Sequence, residues 1–250
     1  MYIFDIAYVL TQKEIKVRYK SSVLGYAWSI LHPLTFAFVF YLAFKVFMKV
    51  PIEDYPLFLI SGLFPWQWFS NAVSSSVLVL LDNASLIKKL NFPRETIPLS
   101  SVMNHTFHFL LSIPVVILFM YIYGKELSGL MPILIPFLLL VQFLMTYGLA
   151  LFLSSIHLFF RDTDRLVGII LTLLFYFTPV VYSENMIPES YRALLYLNPL
   201  ALLMVNWRNL FLKGFIDLSY FLSSLAYSIL IFFIGYVTFR RLSWRFAEVL

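Results

Sequence analysis

The segment "NHTFH" brings Asn104, His105 and His108 together within five residues. On a helix, His at i and i+3 share a face, a spacing that suits a metal ion or a general base. A metal needs further ligands, however, and no Asp or Glu falls in the middle of any apolar run. Hydrogen bonding between helices, or lining a wet vestibule, explains the pair with fewer demands, and the same holds for His32 and His157. An intramembrane enzyme using His105 and His108 stays as the catalytic alternative. Other chemistry lacks its residues. No G-x-x-x-x-G-K-[ST], H-E-x-x-H or G-x-S-x-G occurs, which leaves no phosphate-cradling loop, zinc-protease pair or serine elbow. The absence of Cys removes disulfides, thiolate metal sites and cysteine nucleophiles.

What remains points to binding. Aromatics make up 19% of the chain, with 27 Phe, 16 Tyr and 5 Trp. Trp66, Trp68, Trp207 and Trp244 suit interfacial belts. Belts do not explain Phe36, Phe40, Tyr41, Phe175, Tyr176 and Phe177 inside apolar runs. These either pack against lipid or offer shallow faces on which sugar rings slide, since a pyranose C–H face packs on an aromatic ring. Ser70, Asn71, Ser74, Ser75 and Ser76 are read first as glue between helices, otherwise as a hydrophilic path. The loop "DNASLIKKLNFPRE" gives a short helix with Leu86, Ile87 and Leu90 on one side and Lys88 and Lys89 on the other. Asn83 or Ser85 would cap it, and it stops before Pro93. It is either a surface connector or a piece made to dock on something cytosolic.

These residues are positioned by a chain built for lipid. Of 250 residues, 61% are hydrophobic and 12% charged, more apolar surface than a water-soluble domain of this size can hide. The net charge of +5 is spread between apolar runs and forms no nucleic-acid stripe. Six runs reach the length of a span: 23–48, 56–81, 99–123, 130–160, 166–182 and 218–239. Twelve of the eighteen Lys and Arg fall on one side, in the N-terminal tail, the 82–98 loop, the 161–165 loop and the C-terminal tail. Both chain ends are therefore expected in the cytosol. Residues 2–19 read as an amphipathic helix in the interface, with Ile3, Ile6, Ala7, Leu10 and Val17 on its apolar face. The first twenty residues show no signal-peptide pattern. The stretch 191–214 would carry Arg192 and Arg208 through lipid if it spanned. Split at Asn198-Pro199, it becomes a re-entrant or interfacial helix pair, the second capped by Asn with Pro at its first position. The expected fold is an all-α integral membrane protein with six transmembrane helices, an N-terminal amphipathic interface helix, and a re-entrant or interfacial pair between spans five and six.

Six segments, in order, carry a resemblance: "RYKSSVLGYAWSILHPL", "YPLFLISGLFPWQWF", "NASLIKKLNFPRETIPLSSV", "FFRDTDRLVGIIL", "FTPVVYSENMIPESYRALLYLNPL" and "NWRNLFLKG". Together they resemble type-2 ABC transporter permeases, most closely the polysaccharide-export branch of O-antigen (Wzm-like), capsule and teichoic-acid permeases, over 18–214. The resemblance implies a single permease domain over 1–250, with an interface helix at 1–20, a cytosolic coupling loop at 82–98 and extracytoplasmic re-entrant helices at 183–217. It implies an inner-membrane homodimer bound to two copies of a separate ABC ATPase that holds ATP and Mg, this chain binding no cofactor. The implied cargo is a lipid-linked polysaccharide, with teichoic acid, capsule polysaccharide or a small hydrophobic drug as alternatives. ATPase coupling would fall on Leu86, Ile87, Lys88, Lys89, Leu90, Phe92, Pro93, Arg94 and Glu95. Phe36, Phe40, Tyr176 and Tyr182 would line the translocation path. Arg18 and Lys20 would hold the first span at the cytosolic surface, and His32-Pro33 would bend it beside that path.

Overall fold

The computed structural model describes residues 2–20 and 24–250. Residue 23, where the sequence starts the first span, and the side chain of Arg18 lie outside the described residues. The described residues form helices and no strand. In chain order these are α1 (Tyr2–Tyr19), α2 (Trp28–Phe40) continuing as a π-helix (Tyr41–Phe47), α3 (Tyr55–Asp82), α4 (Ala84–Lys89), α5 (Thr96–Ile122), α6 (Met131–His157), α7 (Thr163–Phe177), α8 (Glu189–Arg192), α9 (Pro199–Lys213), α10 (Leu218–Leu242) and α11 (Phe246–Val249). Among the described residues, four segments are long and apolar enough to cross a membrane: Ile30–Phe47, Thr96–Ile122, Met131–His157 and Leu218–Val249. The chain is an integral, multi-pass membrane protein. α3 has the length of a span at 28 residues but carries a polar row described below. α7, with 15 residues, is only about 22 Å long at 1.5 Å per residue. The apolar run continues to 182, yet the helix stops at Phe177. Pro179 bars the helical conformation from the residue before it, and Thr178 is extended at φ −100°, ψ 131°.

α3 is the central post. It packs on α5, α6 and α9, with α2 and α7 against its remaining sides. α9 is buried along its whole middle, from Leu200 to Phe211. A buried polar joint ties three helices together: Gln142 on α6 donates to the Pro65 carbonyl of α3 (2.8 Å) and accepts from the Trp207 indole of α9 (2.7 Å). This corrects the belt reading of the tryptophans. Trp66, Trp68 and Trp207 are buried in the bundle, while Trp244 is exposed. Trp68 stacks on Phe109, their centroids 4.8 Å apart. α6 and α10 meet at glycines: a Cβ on Gly148 would strike the Phe232 backbone, and one on Gly235 would strike the Gly148 backbone. Small residues there let two backbones approach closely.

The two ends of the bundle differ. At the basic end, Val79, Leu80, Ile87, Ile97, Leu151, Leu158, Phe239 and Phe246 form one apolar cluster, so α4 and the C-terminal tail share that end. α1 lies there too. Of its expected apolar face, Ala7 is buried and Ile6 and Leu10 are half-buried, Leu10 packing on that cluster, while Ile3 and Val17 are exposed. Polar contacts join α1 to α5. Thr11 donates to the Ser100 carbonyl (3.3 Å), and the Glu14 carboxylate accepts from the Ser100 hydroxyl (3.3 Å) and the Asn104 amide (3.1 Å). At the opposite end, Lys125 pairs with Asp54 at 2.9 Å. The split at Asn198-Pro199 is present there: the Asn198 side chain accepts from the Leu200 and Ala201 amides, and Pro199 opens α9.

Candidate functional site

The loop between α3 and α5 belongs to the basic end. α4 spans Ala84–Lys89, and neither expected cap is made: Asn83 sits at the cap position, but its side-chain amide donates to the Val79 carbonyl (2.9 Å). Its backbone carbonyl accepts from Leu86 and Ile87 instead. Ile87 points into the apolar cluster and is buried, Leu86 is half-buried, and Lys88, Lys89 and Leu90 face outward. The outward apolar edge is therefore Leu90 alone, 58% exposed. Phe92 packs against the same cluster, and Pro93 is half-buried. Arg94 and Glu95 turn toward the C-terminal segment. Arg94 Nη1 donates to the Ser243 carbonyl, and Arg240 approaches Glu95 at 3.7 Å. Of the nine expected coupling residues, Lys88, Lys89 and Leu90 make an open surface while Ile87, Arg94 and Glu95 brace it.

The four expected path residues divide in two. Phe40 on α2 packs on Phe175 of α7 with centroids 5.5 Å apart, and Phe175 in turn lies 5.6 Å from Trp66 of α3. Tyr182 folds back and donates to the Tyr176 carbonyl at 3.0 Å. Phe36 and Tyr176 are left open, 47% and 66% exposed. Beside this aromatic junction α3 shows its polar row. Gln67 and Ser70 are half-exposed, and Asn71, Ser74 and Ser75 are exposed. Of the five polar residues first read as glue, Ser76 alone is buried, and it bonds within its own helix, to Val73. Ser75 meets His105 Nε2 at 3.0 Å, so the first histidine of "NHTFH" serves a contact between α3 and α5. The His105 and His108 rings lie 6.4 Å apart. Among the described residues no three His, Cys, Asp or Glu side chains gather where a metal could bind. His32 is exposed on α2 beside Phe36, and His157 is buried at the end of α6.

At the opposite end, the strand-like stretch after α7 is fastened in place. Arg208 on α9 donates to the carbonyls of Val180 (2.8 Å) and Tyr182 (3.4 Å), with its guanidinium 3.8 Å from the Phe58 ring centroid. Gly62 makes room for it; a Cβ there would lie 2.8 Å from Nη2. Tyr55 adds a bond to the Val181 carbonyl at 3.0 Å, and the Asn198 amide reaches Thr178 at 3.0 Å. Glu184 lies in the same neighbourhood. Burial raises its carboxyl above 4.5, helped by Asp217 and opposed by Lys213, Arg208 and Arg192.

A profile of the ABC-2 type transporter family matches residues 7–212. The chain belongs to the ABC-2 type transporter family. It is 44% identical over 249 residues to an O-antigen export system permease protein RfbA of Klebsiella pneumoniae, covering 100% of this chain and 96% of that protein. An RfbA of Myxococcus xanthus is 36% identical over 204 residues, 81% of this chain and 78% of that protein. The polysialic acid transport protein KpsM of Escherichia coli is 24% identical over 234 residues, 91% and 90% of the two chains. In this ABC-2 transporter the profile takes in α1 to α9 and stops before α10 and the tail that braces α4. Three groups escaped the sequence reading of the transporter: Gln142, the Gly148–Gly235 contact, and the Arg208–Gly62 lock. A lone Gly inside "LISGLFPW", facing a lone Arg inside "MVNWRNLF", was the available signal for the last.

Proposed function

We propose that the chain is the transmembrane subunit of an ATP-driven exporter of lipid-linked polysaccharide, an O-antigen, across the bacterial inner membrane. The observation that carries this is the 44% identity along the whole chain to a protein named as an O-antigen export permease. The chain has no phosphate-cradling loop, so ATP and Mg belong to two copies of a separate ATPase beside a homodimer of this chain, and this subunit binds no cofactor itself. In this reading α3 and α7 are the second and fifth of six spans, and the extended stretch after Phe177 supplies the length α7 lacks. The basic end faces the cytosol, in keeping with the bias of Lys and Arg. α9 fits a re-entrant element, whose backbone is tolerated at membrane depth when protein surrounds it. The polar row on α3 supports a wet path: in lipid an exposed row of hydroxyls and amides is unfavourable, whereas against water and sugar hydroxyls it is satisfied.

The mechanism follows from these parts. Closure of the ATPases on ATP presses on Lys88, Lys89 and Leu90. Ile87, Arg94 and Glu95 pass that push to the cluster at the ends of α3, α6 and α10. The twin grooves of the dimer then admit the glycan, with Phe36, Phe40, Tyr176 and Tyr182 as weak, repeated ring contacts and the α3 row meeting its hydroxyls. Deleting the gene tests this. Surface glycan should disappear and undecaprenyl-linked glycan should accumulate on the inner leaflet; an unchanged inner-leaflet pool overturns the reading.

A further inference from the structure

The C-terminal segment does more than end α10. After Leu242 the helical backbone tightens through Ser243–Arg245 and runs on as α11. Phe246 is fully buried, edge-on to Phe239 with centroids 5.1 Å apart, in the cluster that also takes Ile87 of α4. Arg94 holds the Ser243 carbonyl, and Arg240 approaches Glu95. Two polar links and one buried ring thus join the tail to the loop, so any body that pushes one pushes the other.

The outward side of this joint unit has a composition of its own. The α4 loop contributes Lys88, Lys89 and Leu90, and the tail contributes Trp244, Arg245, Glu248 and Val249, all exposed, so three cations outnumber one acid. Trp244 is 62% exposed, and the Arg245 guanidinium lies 4.5 Å from its ring centroid. An aromatic with a stacked arginine, beside an apolar edge, is the composition that dominates protein–protein contacts. Among the described residues no acid is ion-paired with Lys88, Lys89 or Arg245. A belt residue at the headgroups would need only its position at the end of α10. Here Ser243, the residue before Trp244, is bonded to the loop by Arg94.

We propose that residues 243–250 form the second half of the ATPase-docking surface, continuous with Lys88, Lys89 and Leu90. The partner surface that fits is an apolar slot for Trp244 rimmed by acidic side chains. This rests on the reading of α4 as the coupling element, and the test separates the two.

The permease is co-expressed with its ATPase, carrying p-benzoylphenylalanine at Trp244 in one variant and at Leu90 in another, and the intact complex is irradiated. An ATPase adduct from both positions is the expected result. An ATPase adduct from Leu90, with only lipid attached at position 244, overturns the tail proposal and leaves the coupling loop standing. An adduct from 244 alone overturns the continuous surface, leaving a tail contact without α4. No ATPase adduct from either position overturns both. In parallel, Trp244→Ala with Arg245→Glu, which leaves the buried Phe246 in place, should weaken ATPase co-purification about tenfold at unchanged permease yield, the scale of a contact hot spot. Unchanged co-purification overturns the proposal.

Discussion

At the scale of single residues, the histidines and Glu184 make opposite demands. His105 meets Ser75 across α3 and α5, so replacing His105 and His108 with Ala should leave much of the export, whereas an enzyme built on them would lose all activity. A flux assay on the double variant decides between the two. Glu184 has its carboxyl raised by burial above 4.5. An acid raised in the folded state binds its proton more tightly there than in the unfolded chain, so stability falls as pH climbs through and beyond 4.5. Glu184→Gln should therefore raise the melting temperature at neutral pH, and the gain should vanish below the ordinary carboxylate range. A melt series in detergent across that interval measures it. Gln142 shows the same sensitivity to unmet polarity. Without its carbonyl oxygen the buried Trp207 N–H loses its partner, a cost of about 1–3 kcal/mol.

At the scale of elements, the α6–α10 contact sets the tightest tolerance. Gly148→Leu has no space against the Phe232 backbone and should destabilise the protein by about 1–3 kcal/mol or more, read as a lower melting temperature with loss of folded yield. The α4 surface makes a different claim. Lys88→Glu with Lys89→Glu alters exposed side chains and should leave folding intact while releasing the ATPase or uncoupling hydrolysis from transport. Intact pull-down and intact export would reject α4 as the contact. Much of this level was legible in the sequence. Long apolar runs between charges located α5, α6 and α10, and Asn198-Pro199 marked the start of α9 through local cap chemistry. Long-range pairing was not legible. The Glu14 carboxylate finds Ser100 and Asn104 far along the chain, and the inward turn of Arg94 depends on Ser243. Arg208 looked too polar for an apolar stretch because its carbonyl partners, Val180 and Tyr182, come from another element. Periodicity reports which side of a helix is apolar, not which distant group neutralises a charge.

At the scale of the whole molecule, the exposed α3 row and the aromatic junction of α2 and α7 are the parts that the proposed dimer and its cargo would cover. Changing Asn71 and Ser74 to Leu separates path from packing. If the row is a wet floor, folded yield should hold or rise while export slows; a fall in yield with export per molecule unchanged would make it packing after all. Replacing Phe36, Phe40, Tyr176 and Tyr182 with Ala should likewise slow export more than it lowers expression. The last consequence comes from the unequal fastening of α7. Beyond Phe177 the chain is bolted to α3 and α9 through Tyr55, Arg208 and Asn198. Toward Thr163 the helix rests on the body through one buried stripe, Thr163, Val167 and Leu171. The two ends are thus held differently, by side-chain bonds to backbone carbonyls beyond Phe177 and by a single apolar-edged stripe toward Thr163. In the proposed exporter, a tilt of about 10° would move the Thr163 end of a helix about 22 Å long by roughly 4 Å, while the rim fastened by Tyr55 and Arg208 stays still.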